Sequence, residues 1–399
     1  MKANFLKSTT WAMAVCATMV AFTSCSDDNG NDTGTNPGGN GLDTETNVLG
    51  GNVTSDLTLE AGKSYTLSGA LQVKAPATLT IPEGVTITAD NDGQVDYILI
   101  EKGAKINAQG TAQKPIVMTA EVKKDGAWGG LHICGDAPTN VGTGYSEIGN
   151  AVYGGNNASD NSGVLKYVRL EYTGFAFDEE HESNGISFYG VGNGTQVSYV
   201  QAYCGADDGL EFFGGTVNID HCVVVDCTDD SYDWTEGWSG TGRYLVAYQD
   251  AGSSVGMQCD CLIEADNNGD NFDATPVSHP VLSNLTLVGN NSTENTRGVR
   301  LRAGTQVELT NAQITGKSKA LTVETAQTEN ALKNGTSKIQ NVAISGELVS
   351  ENAIYTNDLF TASGNLANQT FNFTDGFVGM TDGRGAVEAS NMWMSGWTR

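Results

Sequence analysis

The chain has 399 residues, with 50 glycines and only 7 prolines, enough for one large domain or an elongated repeat array. It carries 47 acidic against 21 basic residues, a net charge of −26. Such a charge repels phosphate backbones, which excludes nucleic acid as a partner, and it favours cations or neutral ligands over anionic surfaces.

The amino terminus begins with Lys2 and Lys7, followed by an apolar run from Trp11 to Phe22 and then Thr23-Ser24-Cys25. A basic start, a short apolar run and small residues at the cut describe a secretory signal over residues 1–24. That run is too short to span a bilayer. A cysteine directly behind small residues resembles a bacterial lipobox, so Cys25 is the expected lipidation site, although Phe22 stands where leucine is commoner. Ser26-Asp27-Asp28 resembles the acidic tag that sends lipoproteins of Bacteroides-type bacteria to the outer face of the outer membrane. From Asn29 to Thr46 the chain is nearly all Gly, Asn, Asp and Thr, which cannot bury enough apolar surface to fold. Residues 25–46 therefore read as a flexible tether. The expected location is the cell surface, with the protein anchored in the outer membrane by lipid.

Repetition governs the rest. Leu59-Glu-Ala-Gly-Lys-Ser-Tyr-Thr-Leu67, Ile81-Pro-Glu-Gly-Val-Thr-Ile87 and Ile100-Glu-Lys-Gly-Ala-Lys-Ile106 each read as strand, tight turn, strand. Their glycines, Gly62, Gly84 and Gly103, lie 22 and 19 residues apart. Later, Asn284-Leu-Thr-Leu-Val-Gly289, Asn311-Ala-Gln-Ile-Thr-Gly316 and Asn341-Val-Ala-Ile-Ser-Gly346 share a strand ending whose asparagines can stack their amides. Alternating Val, Ile, Thr and Tyr with turns at this interval suits a solenoid of short strands without helical crossovers. A sandwich would turn more often, and a propeller less often. The expectation is an all-β chain: a right-handed parallel β-helix over residues 47–350, with residues 351–399 as a carboxy-terminal capping segment, the alternative after Glu351 being packing along a side.

Four motifs carry a family resemblance: Ala127-Trp-Gly-Gly-Leu-His-Ile-Cys-Gly-Asp-Ala-Pro138, Asp207-Asp-Gly-Leu-Glu-Phe-Phe-Gly-Gly215, Asp229-Asp-Ser-Tyr-Asp-Trp-Thr-Glu-Gly-Trp238 and Trp393-Met-Ser-Gly-Trp397. They resemble a family of uncharacterised outer-membrane lipoproteins of Bacteroides-type bacteria, itself similar to the pectin-lyase-like β-helix superfamily. The resemblance covers nearly the whole chain and implies the fold. It implies no established activity.

One constellation stands out. Asn184-Gly-Ile-Ser187, Asp208-Gly-Leu-Glu211, Asp230-Ser-Tyr-Asp233, Asp270-Asn-Phe-Asp273 and Arg297-Gly-Val-Arg300 repeat a pattern of polar, small, apolar, polar, at offsets of 24, 22, 40 and 27 residues. Stacked as coils about 4.8 Å apart, these positions form two columns of like charges. Such columns need bound cations, raised pKa values or the terminal arginines to offset their repulsion. Hard oxygen donors from several coils are what calcium prefers. Calcium on Asp208, Glu211, Asp230, Asp233, Asp270 and Asp273 is accordingly expected, the alternative being acids that cap turns and face water.

The long offset carries Trp234 and Trp238, which form either a sugar-stacking wall or a cover over the coil. With Arg297 and Arg300 they are the expected ligand-binding residues. The function these features support is non-catalytic binding of a glycan or partner protein at the outer membrane, near a TonB-dependent transporter complex. The alternative is a polysaccharide-degrading hydrolase or lyase using Asp208, Asp229, Asp230 and Arg300, since glycosidases work with paired carboxylates. Once Cys16 and Cys25 are set aside, six cysteines remain. Among these, Cys204 and Cys227 each precede an Asp-Asp pair one coil apart, where stacking can bring them within bonding reach.

Overall fold

A computed structural model describes residues 39–176, 182–371, 373 and 383–399. The signal segment, Cys25 and the first part of the tether lie outside these residues. Among the described residues, no helix is long and apolar enough to cross a membrane.

Strands of two to ten residues pair in parallel with their counterparts one coil away, and together they build a parallel β-helix. Short strands make one face: Tyr97–Ile100, Leu131–Cys134, Ile186–Tyr189, Leu210–Phe213 and Tyr232–Thr235 pair in register. The stack continues through Ile263–Ala265, Arg297–Leu301, Lys319–Val323 and Leu348–Ser350. Bonds from Ser231 N to Cys261 O and from Asp266 N to Trp234 O carry it across the junction.

Longer strands turn a corner. In Gly163–Glu171, Gln196–Tyr203, Asn218–Val225, Thr241–Tyr248, Val281–Val288 and Glu308–Thr315 the corner residue has positive φ: Tyr167, Tyr199, His221, Tyr244, Asn284 and Asn311. Asparagine and, less often, histidine take up this left-handed conformation readily, whereas tyrosine adopts it at a cost. Here stacking offsets the cost, with ring centroids 4.4 Å apart for Tyr167–Tyr199, 4.7 Å for Tyr199–His221 and 4.6 Å for His221–Tyr244. The expected asparagine ladder completes the column: Asn311 Nδ2 donates to Asn284 Oδ1 (3.3 Å) and Asn341 Nδ2 to Asn311 Oδ1 (2.6 Å).

Inside the coils, aliphatic columns surround an aromatic stack in which Phe212 lies 5.1 Å from Phe188 and 4.1 Å from Trp238. Trp234 and Trp238 are each 1% exposed. They are core residues and form no sugar-stacking wall; Trp234 donates its indole N–H to Thr305 Oγ1 and Trp238 to Val217 O. Trp234 points inward with Tyr232 by strand alternation, and Trp238, just past the strand, stacks on Phe212.

The two ends depart from the plain coil. Gly39 to Thr46, read as tether, form a short arm in which Leu42–Asp43 pairs antiparallel with Val48 and Leu49. At the other end, helix Asn357–Ala362 buries Phe360 against the last coil and acts as a cap. Residues 383–399 do not cap. They run back along the outside of the corner column as a strap, from Arg384 on Asn341 and Gly385 on Asn311 to Arg399 beside Glu171. Trp397 packs edge-on against Tyr167 and Tyr199, and Trp393 against Tyr199 and His221. With Val387 and Met394 they cover Val223 and Val246, which would otherwise face water.

All six described cysteines are free thiols. Pairing of Tyr203 with Val225 places Cys227 opposite Gly205, one residue out of register with Cys204.

Because Trp397 of this strap is fully buried against the corner column, Trp397→Ala should cost about 3–5 kcal/mol, read as a lower urea midpoint by circular dichroism. An unchanged midpoint would show that the strap does not pack there.

A candidate cation-binding carboxylate well

Two columns run along the short-strand face. In the first, each side chain caps the backbone of the next coil: Asn184 Oδ1 accepts from Asp208 N (3.2 Å), Asp208 Oδ1 from Asp230 N (2.8 Å), and Asp230 Oδ1 from Cys261 N (2.5 Å). Close stacking of this turn demands glycine at position 209, where a Cβ would lie 2.6 Å from Ser231 O. The second column follows strand register through Ser187, Glu211 and Asp233. It then reaches Glu264, which pairs with Arg300.

Here the structure corrects the ladder. Asp270 and Asp273 are exposed and lie in the loop after Ile263–Ala265. The coil positions are held by Cys261-Leu-Ile-Glu264 instead, 31 residues after Asp230 and 36 before Arg297. Asp-Asn-Phe-Asp imitates the repeat in sequence, but its Phe272 is 38% exposed, whereas Ile263 is 1% exposed inside the coil.

Carboxylates crowd this face. Oxygens of Asp208, Glu211 and Asp233 lie within 4.8 Å of one another, as do those of Asp230, Asp233 and Glu264, and those of Asp207, Asp208 and Asp229. Cations reach one end only. Arg300 binds Glu264 (2.6 Å) and Glu324 (2.8 Å), Arg302 binds Asp266 (2.6 Å) and also Glu264, and Arg297 approaches Glu324 at 3.3 Å. Buried Lys317 donates to Cys259 O and Asn295 O. Sequence reasoning missed Glu264, Glu324 and Lys317; the one available signal was the apolar Leu262-Ile263 pair ahead of Glu264.

At Asp233 the charge is only partly answered, by the nearby Arg302 guanidinium and the Trp234 backbone N–H. The Asp233 Oδ1 is buried and, among the described residues, has no hydrogen-bond partner. Burial, reinforced by neighbouring acids, pushes the carboxyls of Asp208, Glu211 and Asp230 well above the usual range. Burial and the negative charges of Glu264 and Asp266 do the same to Asp233. Burial and then Asp229 push Asp207 up to about 8. Asp229, open to water on one side at the rim, is raised less, to about 6, by desolvation against its neighbours and then by Asp260.

A family model described as a pectate-lyase-like β-helix domain matches residues 51–398. The chain belongs to this family. Neither a curated protein nor a solved structure matches the chain. A pectate-lyase-like fold fits a carbohydrate-related role. In this member, however, Asp208 and Asp230 hold backbone amides, and Arg300 is clamped between Glu264 and Glu324. Three of the four residues considered for catalysis are therefore engaged in structure, and Asp229 stands exposed at the rim.

Neutralising the orphan should relieve the crowding. Asp233→Asn is expected to stabilise the cation-free protein by about 1–3 kcal/mol, measured by denaturant unfolding in chelator. A less stable variant would mean that the carboxylate has a partner.

Proposed function

We propose that this protein is a cell-surface lipoprotein, anchored in the outer membrane through Cys25, whose carboxylate well takes up calcium. The β-helix binds a glycan or a partner protein near a TonB-dependent transporter complex and does not turn it over. One observation carries the cation reading: the unpaired, buried Oδ1 of Asp233 faces company that is almost entirely negative. Asp208, Glu211 and Asp233 would hold the ion, with Asp230 and Glu264 beside them; the donors are all hard carboxylate oxygens, the set calcium prefers.

Protons and calcium are competing remedies for the same repulsion, and this gives the test its sign. Raised carboxyl pKa values mean that the folded state binds protons more tightly than the unfolded chain does. In chelator, stability is therefore present below the unfolded range of about 4 and is lost as pH rises through the folded values, about 6 for Asp229 and about 8 for Asp207. Calcium should abolish that fall, because it replaces the protons. Melting of the full chain across this range, with calcium or with chelator, checks both limbs. Identical curves in both buffers would sink the calcium reading.

Calorimetry closes the case. Calcium binding should disappear in Asp208→Asn/Asp233→Asn, and Asp270→Asn/Asp273→Asn should bind as the parent does. Loss of binding in the second variant would move the site to the exposed loop.

A further inference from the structure

The loop after Ile263–Ala265 does something the carboxylate ladder does not explain. Its own asparagines pin it: Asn268 Oδ1 accepts from Asp270 N and Asn271 N, Asn271 Oδ1 accepts from Asp273 N, and Asn267 Nδ2 donates to Phe272 O and Ala274 O. Below it, Gly304 makes room that no other residue would leave, since a Cβ there would lie 2.0 Å from Phe272 O. Rigidly held in this way, the loop leaves the Phe272 ring 38% exposed. No ion pair, hydrogen bond or ring stacking uses the Phe272 ring or the Asp273 carboxylate among the described residues.

Opposite stands the helix Ala326–Asn334, and between the two lies a cavity of about 260 Å³. The helix turns Gln327, Asn330 and Asn334 toward it, positions three and four apart that share one face. Gln306 completes the lining. The side chains of Gln306 and Gln327 make no hydrogen bond among the described residues. Asn330 uses only its amide N–H₂, on Ala326 O, and Asn334 only its oxygen, on Thr336. The cleft thus offers the flat apolar ring of Phe272, amide groups of Gln306, Gln327, Asn330 and Asn334, and the carboxylate of Asp273, with no Lys, Arg or His in its lining.

We propose that this cleft is a binding site for a neutral sugar residue, with the ring face stacked on Phe272 and the hydroxyls shared among Gln306, Gln327 and Asp273. An aromatic face with a few placed polar groups is the usual composition of such sites. The single negative charge disfavours uronates, sulfated sugars and phosphates. This inference builds on the glycan-binding half of the reading above, but it needs no ion, so chelator separates the two.

The test titrates the full chain, in chelator, with xylohexaose, cellohexaose, laminarihexaose and mannohexaose, and with hexagalacturonate as the anionic control, by calorimetry. At least one neutral hexasaccharide should bind and hexagalacturonate should not. Phe272→Ala should weaken binding about tenfold or more, Gln306→Ala/Gln327→Ala should weaken it severalfold, and Phe272→Tyr should retain it. Asp208→Asn/Asp233→Asn should bind sugar as the parent does while losing calcium. No binding across the neutral panel, equal binding by Phe272→Ala with unchanged melting, or preference for hexagalacturonate would each overturn the proposal.

Discussion

In a parallel coil, every side chain has its own counterpart as nearest neighbour, about 4.8 Å away on the next turn. This spacing is the constraint on which the rest depends. Like is set against like, so a column works only if its residue type tolerates its own company. Leucine and isoleucine do, and they fill the interior. Asparagine does, because each amide is both donor and acceptor, and Asn284, Asn311 and Asn341 show the result. Aromatic rings do as well, which is how tyrosines come to occupy corners that would otherwise strain them. Carboxylates alone do not.

The acidic columns show two ways of living with that fact. Asp208 and Asp230 direct one oxygen each to the backbone amide of the following coil, so a potential clash becomes a cap. Glu264 and Asp266 have arginines. Asp233, lying between these arrangements, has neither at its Oδ1. What makes the well a candidate site is this break in an otherwise consistent scheme. The number of acids alone would not.

Much of this was legible in the sequence, and the part that was not has a physical reason. Turn glycines and strand alternation announce the solenoid, and the polar-small-apolar-polar pattern announces the columns through Asp233. The pattern then fails because the true coil departs from it. Cys261-Leu-Ile-Glu264 puts Cys and Leu where the other coils have a polar and a small residue, whereas Asp270-Asn-Phe-Asp273 keeps the pattern but lies in an exposed loop. For Trp234 and Trp238 the sequence left a sugar-stacking wall and a cover over the coil both open, because a tryptophan beside acids in sequence can still turn its ring to the interior. Contacts made by the strap could not be read at all, because nothing local in Trp393-Met-Ser-Gly-Trp397 names Tyr167 or His221 as its partner.

That strap bears on the order of assembly. Stacked coils exchange contacts only with their neighbours, so such arrays can zip up, and unzip, one unit at a time. Residues 383–399 break this locality by touching coils from Asn341 back to Glu171. The corner column they cover does not exist until those coils have already stacked, so the strap can close only on a finished array. Closing a loop of such sequence separation is slow, but once made the closure ties the fate of many coils together. A filament that would fray from its end becomes a body that opens all at once.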